Sequence, residues 1–340
     1  MNELPESDRA GDAPHPRDTF DLLGHERAEA LYRMSKRSGR MHHAWLISGP
    51  SGVGKATLAY RMIRDLLGGR GLLDDSLDIP ASDPVAGRIS ARGHGNLKVV
   101  RRPYDPKTKK TRAEIPVSEV RALGDFFHET AAEGGRARIA LIDKADHLNV
   151  SSENAVLKLL EEPPENGVLI LLSDAPGRLL PTIRSRCFAL DLRPVPDAQL
   201  KPWLAERVSQ SGRDLDQILF LAEGSPGRAL ALADNFTDVV KPISELSEGL
   251  AGGRGARDTV LASNLAVAKN AEARALYWSG LQSLLAAYAR GEDVPFAGPD
   301  GSREWSALWA DAVERQRTEG EINMNKQASL LDTLSAVRAG

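Results

Sequence analysis

Gly49-Pro50-Ser51-Gly52-Val53-Gly54-Lys55 is the part of this 340-residue chain best equipped for chemistry. Glycines at 49, 52 and 54 let backbone N–H groups curl around an anion, and Lys55 adds a full positive charge. Before the stretch comes a short apolar run, Trp45-Leu46-Ile47; after it come residues 58–63, whose apolar spacing is helical. Strand, glycine turn, lysine and helix together are the context of a phosphate-binding loop. The Gly49-x4-Gly54-Lys55 spacing fits such a loop, but the next position does not. A hydroxyl there would hold Mg²⁺; the chain has Ala56, with Thr57 one place late. Gly49, Gly52, Gly54, Lys55, Ala56 and Thr57 are therefore the expected contacts for ATP or ADP, in a loop that has lost its metal ligand.

Residues 138–143, Arg-Ile-Ala-Leu-Ile-Asp, form an apolar run closed by a carboxylate. That is the Walker B form, in which Asp143 at the C-terminal edge of a parallel strand faces the nucleotide and its metal. Hydrolysis then needs a second carboxylate to polarise the attacking water. Lys144 stands in its place, and a charged lysine accepts no proton. Ala56 and Lys144 both argue against hydrolysis. The competing reading is an active ATPase that uses Thr57 for Mg²⁺ and Asp146, the next acid, for the water. Ser173-Asp174 ends a further apolar run, as a γ-phosphate sensor or as a strand-end cap. Adjacent His42 and His43 have no third ligand nearby, so they read as a loop beside the nucleotide and not as a metal site.

Holding these groups together requires a scaffold. Apolar runs at 45–47, 97–100, 138–143, 168–172 and 188–192 read as strands. Helical spacing marks residues 20–38, the stretch after the phosphate loop, residues 118–127 with Ser118 as N-cap and Gly134-Gly135 as the stop, and residues 153–162 behind Ser151 or Ser152. Residues 68–95 read as an irregular insertion. Strand alternating with helix predicts an α/β fold, a parallel sheet between helices. From Pro194 onward strand signals vanish. Three short helices are expected at 200–208, 215–222 and 226–233, then a glycine hinge at 249–255, then long helical patterns at 277–288, 305–313 and 330–337.

Composition narrows the class. A formal net charge of -3 gives no reason to expect tight nucleic-acid binding by the whole chain. The six basic residues around Tyr104 in 101–112 are a local patch, better read as a solvated hairpin turning at Asp105-Pro106. A single cysteine, Cys187, excludes a disulfide framework and suits a reducing cytosol. No apolar run approaches the ~18 residues of a membrane span. Residues 1–18 read as a loose, disordered tail. The expectation is a soluble, cytoplasmic protein with no membrane partner and no metal centre.

Asn154-Ala155-Val156-Leu157-Lys158-Leu159-Leu160-Glu161-Glu162-Pro163-Pro164, followed by Ser185-Arg186-Cys187, resembles the clamp-loader branch of the AAA+ family. The likeness is dense over residues 20–192, weaker over 193–235 and only general beyond. It implies a five-stranded AAA+ domain at 19–192, a small helical lid at 193–236 and an all-α collar at 237–340. It further implies a place in a five-subunit, ATP-driven machine that sets a ring-shaped sliding clamp on primed DNA, as in bacterial DNA polymerase III. Partners would be ATPase subunits of gamma/tau type and a delta-like subunit. Arg186 would be an arginine finger reaching a neighbour's ATP, and Lys158 would face the DNA channel. There are departures. Residues 58–142 lack the cysteines of the zinc module found in many relatives, so no zinc is expected. The second-sensor pattern is shifted, with Gly227 at the arginine place and Arg228 one later. The resemblance thus points to a subunit that keeps a nucleotide pocket without cutting ATP.

Overall fold

A computed structural model describes residues 14–39, 41–73, 76–108, 110–128, 137–249, 256–297, 304–321 and 325–339. The chain forms two compact units, Met1–Val195 with Ser225–Gly227, and Pro196–Gly224 with Arg228–Gly340.

In the first unit, β1 (Ala44–Ser48), β2 (Leu97–Arg101), β5 (Arg138–Asp143), β6 (Gly167–Ser173) and β7 (Phe188–Asp191) form one sheet in the order β2-β5-β6-β1-β7. Every pairing is parallel, with Ser48 opposite both Ser173 and Asp191, and Arg101 opposite Asp143. The strand C-termini therefore line up along one edge. Because side chains alternate across a strand, Trp45, Ile47, Ile139, Leu141, Ile170 and Leu172 join one core, and Ala44, Leu46, Ala140, Ile142, Leu169 and Leu171 the other. On the first face pack α1 (Glu26–Arg37), α2 (Lys55–Leu66) and α3 (Pro84–Ser90); on the second, α4 (Val117–His128), α5 (Val150–Glu161) and α6 (Pro181–Arg184). Each fully buried Leu, Ile or Met of these helices contributes about 1.5–3 kcal/mol. The five-stranded α/β architecture is the one expected.

Several local expectations are corrected. The segment read as irregular contains α3, whose Asp83 side chain accepts from the Val85 N–H and whose Pro84 opens the helix. Ser118 lies inside α4 and does not cap it. Asn149 caps α5, its Oδ1 accepting from the Ser152 N–H at 3.0 Å, so neither Ser151 nor Ser152 is the cap. Residues 14–18 are not loose: His15 and Arg17 are buried, and Pro16–Asp18 form a 3₁₀ turn. The cause is α2, whose buried Arg64 donates to the Arg17 carbonyl at 2.6 Å, while Arg61 pairs with Glu29 and Asp78. The rest of the tail, the Gly134-Gly135 stop and residues 250–255 of the hinge fall outside the described residues. The basic hairpin forms from β3 (Tyr104–Asp105) and β4 (Lys110–Thr111), with the Asp105 carboxylate capping the turn at the Lys107 N–H.

The second unit holds α7 (Asp197–Ala205), α8 (Gly212–Ala222), α9 (Pro226–Asp234) from Arg228 onward, α10 (Lys241–Gly249), α11 (Ala256–Ala266), α12 (Ala271–Arg290), α13 (Trp305–Glu321) and α14 (Lys326–Ala339), and no strand among the described residues. The aromatic stripe of α12 is core: Tyr277, Trp278, Leu281 and Leu284 are buried, and Gly280 leaves room for Ile243 and Leu221.

Candidate nucleotide site and arginine finger

The phosphate loop leaves the C-terminal end of β1 and enters α2 at Lys55. Gly49 has φ +143°, and a Cβ there would meet the Leu192 carbonyl oxygen at 2.3 Å, so only glycine fits between β1 and the chain leaving β7. Gly54 has φ +116°, with Leu22 and His25 closing in behind it. His25 Nε2 also donates to the Val53 carbonyl at 2.9 Å, bracing the loop from outside. The first-turn N–H groups of α2 point into the loop mouth and favour an anion there. The cradle fits phosphate.

Its lysine is already engaged. Lys55 is 6% exposed, and its Nζ donates to the Gly49 and Pro50 carbonyls at 2.7 Å each. Its third partner is Asp174 Oδ1, at 2.6 Å. The other oxygen of Asp174 takes Lys144 Nζ at 2.5 Å, and that ammonium also reaches Ser51 Oγ at 3.3 Å. Two lysines thus share one carboxylate across the mouth of the loop. Burial pushes the Lys55 pKa below its ordinary value despite Asp174 and Asp143 nearby. Burial acts to raise that of Asp174, but Lys144 and Lys55 together hold it below the usual carboxylate range. Asp174, read from sequence as a phosphate sensor or a strand cap, is an ion-pair centre. A partner 30 residues away carried no sequence signal.

Asp143 ends β5, buried at the C-terminal sheet edge beside Lys144. The position after Lys55, which would hold a divalent metal, offers only the Ala56 methyl, and the Lys144 ammonium follows Asp143 in the chain. Asp146 is committed elsewhere. Its Oδ1 accepts from Ser173 Oγ at 2.7 Å and the Ala175 N–H at 3.1 Å, and its Oδ2 from the Asp174 N–H at 2.7 Å. It ties down the turn after β6, leaving little lone-pair capacity for a water. Thr57 is half-buried on α2.

Gly227 does touch the loop: its N–H donates to the Gly52 carbonyl at 2.8 Å, and a Cβ at 227 would crowd that oxygen at 3.1 Å. An arginine at this position would have to turn outward. Arg228 belongs to the helical unit, where its Nη1 pairs with Glu223 at 2.8 Å. His42 and His43 stack on each other at the N-terminal end of β1, so they lie at the far end of that strand and not beside a nucleotide.

Arg186 also lies at that far end. It precedes β7, and Phe188 pairs with Trp45 while the phosphate loop follows Ser48. About five residues of strand, roughly 16 Å, separate it from its own loop. Its side chain is 39% exposed, the guanidinium paired with exposed Glu161 at 3.1 Å and donating to the Thr182 carbonyl at 3.2 Å. Beside it, Cys187 packs on the α5–α6 side of the sheet, and burial pushes its thiol pKa up to about 12. Lys158 is exposed on α5, where with Arg121 it borders a groove of about 260 Å³.

A family model described as DNA polymerase III, delta subunit, matches residues 24–196, just over half of the chain. DNA polymerase III subunit delta' of Pseudomonas aeruginosa is 34% identical over 206 residues, covering 58% of this chain and 58% of that protein. The same subunit of Escherichia coli K12 is 34% identical over 200 residues, covering 58% and 56%. The matched part thus spans little more than half the length of these relatives. Among solved structures, a gamma subunit-related protein of Thermotoga maritima gives a TM-score of 0.48 at 19% identity, covering 92% of this chain and 99% of that one.

Proposed function

The chain belongs to the DNA polymerase III, delta subunit family, and on that premise we propose that it is a delta-prime-like clamp-loader subunit that hydrolyses no ATP and lends Arg186 to a neighbouring ATPase. Its partners are subunits of gamma/tau and delta type, and through the assembly a sliding clamp and primed DNA, in the cytoplasm. Lys158 faces the DNA in this reading.

The placement of Arg186 carries the proposal. A guanidinium one strand length from its own phosphate loop serves no nucleotide held there, whereas its exposure leaves it open to a second subunit. The ion pair with Glu161 is a surface pair, worth about 0–1 kcal/mol, and yields readily to a phosphate. An arginine finger neutralises charge developing on the transferring γ-phosphoryl and adds on the order of 10³–10⁵ in rate in well-studied GTPases. The chain's own loop supports the other half of the reading: Ala56 supplies no metal ligand, Lys144 no base, and Asp146 is bound to the β6 turn.

The test is a loader reconstituted with Arg186→Ala in this chain. ATP turnover by the assembly falls steeply while the assembly still forms; unchanged turnover refutes the finger. The hydrolysing alternative, through Thr57 and Asp146, is separated by assaying the isolated chain. Robust Mg²⁺-dependent phosphate release that Asp146→Asn abolishes would establish it.

A further inference from the structure

The departures from a working ATPase leave a specific arrangement in their place. In a metal-dependent loop, the charge of the β- and γ-phosphates is met by one lysine and one divalent cation. Here Ala56 replaces the hydroxyl that would hold the cation, and a second ammonium, Lys144, leans across the loop mouth to Ser51 at 3.3 Å. The two ammonium groups grip the two oxygens of Asp174 at 2.6 and 2.5 Å. A phosphate presents a pair of oxygens of similar span and charge. The Asp174 carboxylate therefore occupies a seat whose walls, the Lys55 and Lys144 ammonium groups, suit a phosphate equally well.

We propose that this loop takes a nucleotide free of divalent metal, with Lys144 supplying the charge a metal would have brought and Asp174 standing in the phosphate seat until the ligand displaces it. The inference rests on reading residues 49–55 as a nucleotide site and is independent of the role of Arg186. Lys55 is enclosed by its own chain: it donates to two loop carbonyls and ion-pairs with Asp174 at 2.6 Å. Binding is thus an exchange of one anion for another, and the internal anion weakens the external one.

The experiment is a calorimetric titration of the full chain with ATP, once in excess EDTA and once in excess Mg²⁺. Wild-type affinity is expected to agree between the two conditions within about threefold. Asp174→Asn removes the internal competitor and tightens ATP binding in EDTA by about tenfold or more. Lys144→Met weakens it in EDTA by a similar factor. Lys144 is one-third exposed, so this variant reports even where Asp174→Asn folds poorly. ATP binding that is tenfold or more tighter with Mg²⁺ than with EDTA overturns the proposal, as does an Asp174→Asn protein that binds no tighter or a Lys144→Met protein that binds no weaker. Binding seen only with Mg²⁺ refutes metal-free binding alone. No binding by any variant under either condition refutes the nucleotide site itself, and neither result touches the reconstituted Arg186 assay.

Discussion

The two edges of the central sheet treat their cations in opposite ways. At the C-terminal edge, Lys55 and Lys144 are turned inward onto loop carbonyls and Asp174, and Lys55 is almost wholly buried. At the N-terminal edge, Arg186 is turned outward, held among the described residues by the exposed Glu161 and one carbonyl. The first edge satisfies its charges from within the chain; the second leaves a charge that a partner can claim. In the proposed reading, the groups that would cut ATP are absent where the chain closes on itself, and the arginine that would assist a neighbour stands where the chain is open.

The largest effect that would break this contrast is at Arg186. Its change to alanine is expected to cost the reconstituted loader on the order of 10³ in ATP turnover, with thermal unfolding of the isolated chain unmoved. A loss of stability with unaltered turnover would reverse the assignment of the two edges. Next comes Asp146→Asn. An amide in place of one carboxylate oxygen faces a backbone N–H, so the β6 turn loses about 1–3 kcal/mol, read by chemical denaturation. The isolated chain's ATP turnover stays undetectable in both forms.

The closed edge has a pH signature. A carboxylate whose folded value is depressed stabilises fully above its unfolded value, near ~3.9, and loses that contribution as pH falls through the folded one. The Asp174 contribution should therefore be present above about pH 4 and be lost progressively as pH falls from there through the lower folded value. Asp174→Asn should flatten that acid limb in denaturation curves recorded from pH 2 to 6, a window set by the same carboxylate values, roughly; an unchanged limb would show that the ion pairs carry no weight. The smallest effect is at Glu161. Glu161→Ala is expected to shift stability by less than about 0.5 kcal/mol and to leave loader turnover intact. A large drop in turnover would mean that the open edge, too, depends on its internal partner.

Much of this was legible in the sequence because strand, glycine turn and helix are local signals. The parallel sheet, the loop at 49–55 and the Ser185-Arg186-Cys187 corner all follow from residues close together along the chain. What escaped depends on residues brought together from afar. Lys144 was readable as a missing base, but not as the clasp on Asp174. Asp146 was a candidate base until the turn after β6 was seen to use both of its oxygens. The packing of residues 14–18 was hidden by their polar composition, because the buried Arg64 of α2 holds the Arg17 carbonyl and the His15 ring lies edge-on to Tyr60. The α3 helix, by contrast, was signalled by Asp83-Pro84 and was missed among the surrounding glycines and prolines.

Cys187 bears on how the protein can be studied. Burial pushes its thiol up to about 12, which keeps it protonated at neutral pH, and it is the sole cysteine in 340 residues. A maleimide dye is therefore expected to react more slowly with the native sulfur than with a cysteine engineered at an exposed site such as Lys158. The chain comes with a quiet background for single-site fluorescence labelling, and its own sulfur need not be removed first.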